Sequence, residues 1–187
     1  MGRWEPNARG RLEQAALELY GEHGFEQTTV AEIAKRAGLT ERTFFRHFAD
    51  KREVLFAGSS SLRDILVNAV SEAPTSTTPI DAIIGALEAA GTLMQERRDH
   101  SQQRQAVINA NPELQERELV KLATLASAIA EALTQRGVPA LTASVTAEAG
   151  IAVFKVAFEA WISGPGEKSL PEHIRMSFAE LKTVTNA

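Results

Sequence analysis

Residues 28–56 read TTVAEIAKRAGLTERTFFRHFADKREVLF, and the spacing of their polar and apolar side chains decides the fold class. Thr29 with Glu32 three places on forms a capping box, in which hydroxyl and carboxylate each satisfy a backbone N–H left unpaired at a helix start. Val30, Ile33, Ala34 and Ala37 then recur at helical spacing and mark a buried face. Gly38 stands where a left-handed residue closes the helix, a conformation glycine adopts without a clash. Leu39 plugs the corner. Thr40 caps a second helix, Glu41 to His47, too short to be stable alone and therefore held by its neighbours. Asp50 and Glu53 form a second capping pair at the start of a third helix. Two short helices around a glycine turn, followed at once by a third, make a helix-turn-helix. Such a unit presents its second helix to the major groove of DNA.

A glycine-cornered helix pair also occurs as plain architecture in all-helical proteins. Two features weigh against that reading. The exposed positions of the short helix carry Thr40, Arg42, Thr43, Arg46 and His47, all able to bond base edges or phosphates. Phe44 and Phe48 fill its interior positions, large anchors for so short an element. The expected DNA contacts are Thr28, Thr29, Thr40, Glu41, Arg42, Thr43, Phe44, Arg46, His47 and Lys51. Within that set, Thr28, Thr29, His47 and Lys51 are expected on the phosphates, partly with helix N-terminal amides. Arg42 and Thr43 are expected on base edges, with Thr40 assisting.

From Leu19 to Leu55 the chain, LYGEHGFEQTTVAEIAKRAGLTERTFFRHFADKREVL, resembles the DNA-binding domain of the TetR (tetracycline repressor) family in order, spacing and residue type. Beyond that stretch it matches the family in length and helical character. The resemblance implies a homodimeric transcription regulator, usually a repressor, released from double-stranded operator DNA when a small-molecule effector enters the C-terminal domain. One departure stands out. The family often has Tyr where Phe45 stands, with its hydroxyl on a phosphate. Phe45 lacks that hydroxyl, which leaves it to pack or to touch a thymine methyl.

A length of 187 residues with 44% hydrophobic content fits one or two small domains with a real core. The expected division is 1–56 for the helix-turn-helix domain and 57–187 for a helical effector-binding and dimerisation domain, an all-α fold. No uninterrupted apolar run reaches the length of a membrane span. The opening MGRWEPNARGR has no apolar signal region, which argues against secretion and for the cytoplasm. With no cysteine, disulfides and thiolate metal sites are excluded. The net charge of −4 is unlike a nucleic-acid binder, but the split is informative. Residues 1–56 carry nine Lys/Arg and nine Asp/Glu, so the acidic surplus lies entirely beyond them. Arg3, Arg9, Arg11, Arg42, Arg46, Lys51 and Arg52 flank or lie in the reading elements, and local arrangement governs phosphate attraction more than net charge.

Along the rest of the chain, a helix from Ala8 to His23 shows the stripe Leu12, Ala15, Ala16, Leu19, Tyr20. The third helix of the reading motif is expected to continue past Phe56 to about Ala73, belonging to both domains as a lever between them. The segment 73–79, APTSTTP, ends it. Thr78 and Pro79 open a helix to about Gln95. ERRDHSQQRQ reads as a turn into a short helix through Ile108. A long helix follows Asn111–Pro112 to about Arg136. From Thr142 to Ser163 the chain is rich in Ala and Gly with interspersed Val, Phe and Trp, and Ser169 with Glu172 caps a last helix. Ordinary core would explain both helices, but their apolar residues exceed one narrow stripe, so a second buried face is expected. In the resembled family the last two long helices pair with their mates as a four-helix dimer interface.

The four histidines, His23, His47, His100 and His173, are scattered with no metal-ligand spacing, and no Gly-rich phosphate loop occurs. No catalytic residues, metal or cofactor are expected, and no enzyme. An effector pocket, inferred from the resemblance alone, is expected near Leu87, Met94, Ile108, Leu122, Leu125, Phe154 and Phe158. The alternative function is a helical small-molecule-binding protein that does not read DNA and acts through protein contacts.

Overall fold

The computed structural model describes residues 7–185, and among these every regular element is helical. The contacts divide into two compact units. One comprises the chain up to Gly58 together with Gln103–Glu118; the other comprises Ser59–Gln102 and the chain from Leu119 onward. Residues 103–118, assigned by sequence to the second domain, thus pack with the first.

In the first unit, α1 runs Ala8–His23, α2 Val30–Arg36 and α3 Glu41–His47. Each start is fixed by local side-chain hydrogen bonds. Asn7, in the left-handed region at φ 76°, accepts from the Gly10 amide. Thr29 and Glu32 form the full capping box, and Thr40 accepts from the Thr43 amide at 3.2 Å. Gly38 has φ 66°, and a side chain there would also strike the Arg11 guanidinium. Leu12, Ala16, Ile33 and Phe44 are fully buried or nearly so, with Tyr20, Phe25 and Phe48 around them.

The expected third helix from Lys51 to about Ala73 is two elements. A 3₁₀ turn spans Glu53–Phe56, and α4 begins at Ser59 and ends at Glu72. Val54, Leu55 and Phe56 are all buried. Three consecutive buried residues sweep some 200° around an α-helix at about 100° each, far more than one core-facing stripe. The carbonyls there are also diverted. Leu55 O accepts from Arg104 Nε at 2.6 Å, and Ala57 O accepts from Arg9. A continuous helix would need those carbonyls for its own amides.

The second unit holds α4, α5 (Pro79–Met94), the start of α6 (Arg98–Asn109), most of α7 (Pro112–Gln135), α8 (Ala140–Ser163) and α9 (Leu170–Thr185). The helix α5 packs against α4, α8 and α9. Gly150 lets α8 approach it closely, since a Cβ there would lie 2.5 Å from Ile83 Cγ2. The polar stretch read as a turn before α6 is a 3₁₀ turn, Gln95–Arg97, running directly into helix. Its polarity has a structural use. Arg98 donates to the carbonyls of Trp161 and Gly164, and Gln102 to that of Ile162, so these side chains close the C-terminus of α8. By length and composition α8 could cross a bilayer. Its Ala143, Ala147, Ile151, Ala157 and Trp161 face is buried in the core of this unit, and Glu148, Lys155 and Glu159 stand exposed on the other side.

Candidate nucleic-acid interface and effector site

The helix α3 owes its position to two phenylalanines. Phe44 is fully buried, Phe48 packs beside it at 5.5 Å between ring centres, and together they seat the helix on the unit's core. Phe44, expected among the DNA contacts, therefore has no side-chain surface to offer. The outward positions are Glu41, Arg42, Phe45 and Arg46, with Thr40 exposed at the cap and Thr43 and His47 partly covered. The Thr40 and Thr43 hydroxyls lie 3.1 Å apart. His47 Nε2 is buried and lacks a partner among the described residues.

The cations of this unit divide sharply. Lys51 Nζ donates to the carbonyls of Phe25, Glu26 and Thr28 at 2.8, 3.1 and 3.0 Å and lies 4.5 Å from the Phe25 ring centre. An ammonium has three protons, and here all three are committed to the loop before α2. The Lys51 carbonyl in turn accepts from the Tyr20 hydroxyl at 2.6 Å. Burial, reinforced by the Asp50 carboxylate, holds that phenol proton far above its ordinary pKa. Thr28, also expected on phosphate, is buried and donates to Leu19 O and Gly24 O. Arg9 bonds Glu13 and lies over the Phe48 ring. Arg11 closes the end of α2 through the Ala37 carbonyl. Arg52 pairs with Asp50. Burial pushes the Asp50 carboxyl up, but hydrogen bonds from Arg52 and the Glu53 amide outweigh this and hold it below the usual range. Arg3 lies outside the described residues. Of the flanking cations, Arg42 and Arg46 remain exposed without partners among the described residues. Thr29 is exposed but shares its hydroxyl with Glu32 at 2.8 Å.

Arg104 and Arg117 hold residues 103–118 to the 3₁₀ turn. Arg104 bonds Leu55 O and Glu118 and lies 5.1 Å from the Phe56 ring centre. Arg117 Nε donates to Glu53 at 2.7 Å. Nothing local in the sequence signals either bond, because partners such as Arg117 and Glu53 are 64 positions apart.

The effector candidates do not all meet. Leu87, Leu125 and Phe154 are buried in the core of the second unit, with Met94, Leu122 and Phe158 packed against it. Ile108 is instead fully buried in the first unit with Leu114, because the α6–α7 corner folds there. Two clefts, of about 320 and 570 Å³, are lined by other residues: the first by Thr75, Arg136 and Thr142, the second by Gln14, Tyr20 and Val107. One polar group emerges that sequence reading passed over. Trp161 is fully buried and its indole N–H has no acceptor among the described residues. It ends a ladder of Phe154, Phe158 and Trp161 with ring centres 5.8 and 5.7 Å apart. Among the described residues no group of three or more His, Cys, Asp or Glu side chains gathers that could hold a metal ion.

The family model for bacterial regulatory proteins of the tetR family matches residues 13–57, and that for the MftR C-terminal domain matches 77–186. A curated relative, the HTH-type transcriptional regulator TcmR of Streptomyces glaucescens, is 40% identical over 81 residues, 43% of this chain and 36% of its own length. The chain thus spans about a third of that relative. A transcriptional regulator named MftR from Mycobacterium tuberculosis (strain ATCC 25618 / H37Rv) is 28% identical over 136 residues, 73% of this chain and 69% of its own. Among solved structures, a SmeT–triclosan complex superposes with a TM-score of 0.65 at 18% identity, covering 92% of this chain and 90% of that one. Thermus thermophilus FadR with lauroyl-CoA gives 0.55 at 21% identity over 91% of each chain. At these identities the two structures speak for the fold.

Proposed function

The chain belongs to the TetR family of bacterial regulatory proteins, and from that premise we propose that it is a homodimeric, cytoplasmic repressor that reads operator DNA through α3 and is released by a small molecule. The observation that carries the DNA-reading part is the division of the cations. Lys51, Arg9, Arg11 and Arg52 are bound to the protein itself, whereas Arg42 and Arg46 face outward from α3 with no partner among the described residues. An outward arginine fits guanine O6 and N7 or a phosphate. In this reading Arg42 and Thr43 meet bases, Arg46, Thr29 and His47 lie along the backbone, and Lys51 and Thr28 hold the loop that positions α2. The functional boundary falls near residues 56–58, with 103–118 carried by the DNA-binding part.

A dimer is supported by apolar side chains that stand exposed on the last two helices, on α8 beside the charged Glu148, Lys155 and Glu159. Leu141, Val145 and Val156 are each at least 60% exposed, and Ala152 and Ala160 lie on the same side of α8. Met176 and Val184 are exposed on α9. Such side chains exposed on one chain call for a partner, and a second copy presents the same ones. Effector binding in the second unit is supported by the two neighbours solved with ligands, triclosan and lauroyl-CoA. A mobility-shift assay on the DNA flanking its own gene, against unrelated DNA at equal salt, tests the reading. Equal binding to both, or none, defeats it. Sedimentation at micromolar concentration is expected to give about twice the chain mass of 20.3 kDa, and a single-chain mass would remove the dimer.

A further inference from the structure

Beside two arginines without partners among the described residues, α3 exposes one large apolar side chain. Phe45 is 56% exposed. It stands at the i+3 position from Arg42 and directly before Arg46, so the three share one outward face. Its ring is not loose. It meets the fully buried Phe44 edge-on, at 5.5 Å between centres and 84° between planes, an arrangement aromatic pairs favour. Among the described residues no cation lies over it, and neither neighbouring guanidinium has a partner. The first unit thus holds a solvent-exposed phenyl seated against Phe44 within its proposed reading face.

We infer that Phe45 is a specificity residue, and that it selects thymine at a fixed position of each half-site by covering the C5-methyl. The inference rests on the DNA-reading function proposed above. A phenyl has no donor or acceptor to offer a base edge. Among the groups that base pairs display in the major groove, the thymine methyl is the apolar one, so burying it is the discrimination open to this side chain. Arg42 and Arg46, beside it on the same outward face, supply the charge that draws the helix to DNA, and the methyl contact decides one base pair. The edge contact with Phe44 favours this ring position beforehand, which lowers the side-chain freedom lost on contact.

The test begins with selection by the full-length protein from a random-sequence duplex pool containing thymine. Each thymine of the selected duplex is then replaced singly by uracil, which removes the methyl and keeps every hydrogen-bonding group. Wild-type protein is expected to bind about fourfold more weakly per half-site when the contacted thymine is replaced, the change that follows from losing one buried methyl carbon, and to ignore the other replacements. Phe45→Ala is expected to bind thymine and uracil duplexes equally. Phe45→Leu, still apolar, is expected to keep part of the difference. Both variants alter an exposed side chain, and an unchanged circular dichroism melt checks their folding. Indifference of the wild type to uracil at every position, or a uracil penalty that survives in Phe45→Ala, overturns the inference while leaving DNA reading intact. Failure to enrich any sequence overturns DNA reading itself, and this inference with it.

Discussion

Lys51 sits beside the reading helix, where a lysine suggests a phosphate contact, yet three backbone carbonyls hold its ammonium. Lys51→Ala is therefore expected to lower stability by about 2 kcal/mol, the scale of hydrogen bonds to a charged group. In a chain of this size that is a drop in Tm of about 4–8 °C, while the salt dependence of DNA binding stays as it was. A salt slope reduced by about one unit with an unchanged Tm would instead restore the phosphate role. Arg42 and Arg46 are the contrasting case. Arg42→Ala is expected to weaken operator binding by about 1–3 kcal/mol and relax specificity at one base pair, and Arg46→Ala to weaken all duplexes alike with a shallower salt slope. Uniform weakening by Arg42→Ala would move that residue to the backbone. The sequence places a cation at each of these positions. It did not show which donors were already bound, because Lys51 answers to carbonyls at positions 25, 26 and 28, set by loop geometry and not by spacing.

The elements whose boundaries were legible, such as α1 to α3 and α9, are set by groups three or four residues apart. Thr29 with Glu32 and Ser169 with Glu172 both fall in this class. The boundary that was misread, between the 3₁₀ turn and α4, is set by Arg9 and Arg104, 48 and 49 positions from the carbonyls they take. Helical spacing continues through Leu62 and Ile65, so no local pattern reveals the break. Arg104→Met is expected to destabilise the chain by about 3 kcal/mol, since it strips Leu55 O of its donor and leaves Glu118 without its partly buried partner. The double variant Arg104→Met, Glu118→Met should regain part of the loss, and chemical denaturation reads both. Equal losses in the two variants would show that the ion pair is of no consequence. On α8 the test is different in kind. Ala152 and Ala160 are exposed in the single chain, so Ala152→Arg or Ala160→Arg is expected to leave the chain folded and shift sedimentation to the single-chain mass. Dimers that persist in both variants would place the interface elsewhere.

At the scale of the molecule, release of DNA by a ligand is a difference in affinity between two states. The proposed effector, bound in the second unit, must prefer the state that does not hold DNA. Operator must then weaken effector binding by the same factor. Calorimetric titration of an identified effector, with and without saturating operator, is expected to give affinities at least about fivefold apart, the lower end of typical coupling. Equal affinities would show that the compound is not an inducer. A single helix shared between domains was the expected carrier of this coupling, and the break at 57–58 removes it. The continuous elements with residues in both units are α6 and α7. The fold class and the helix-turn-helix were legible in the sequence because each follows from local periodicity and caps. No effector site is legible in the same way, because its candidate residues are ordinary core types, and the Trp161 indole N–H, without an acceptor among the described residues, is unusual only for what does not surround it.

The assignment of residues 103–118 to the first unit also bears on how this protein is made and how it can be recombined. A ribosome has released all of α1 to α3 long before Ile108 and Leu114 emerge, and both are fully buried in that unit's core. The nascent reading module must wait, with Leu55 and Phe56 incompletely covered, until the α6–α7 corner arrives. The same interval governs protein engineering. A chimera that borrows the first 58 residues as a ready-made DNA reader takes the fingers without the wrist, and the transplant needs its second, distant segment if it is to arrive folded.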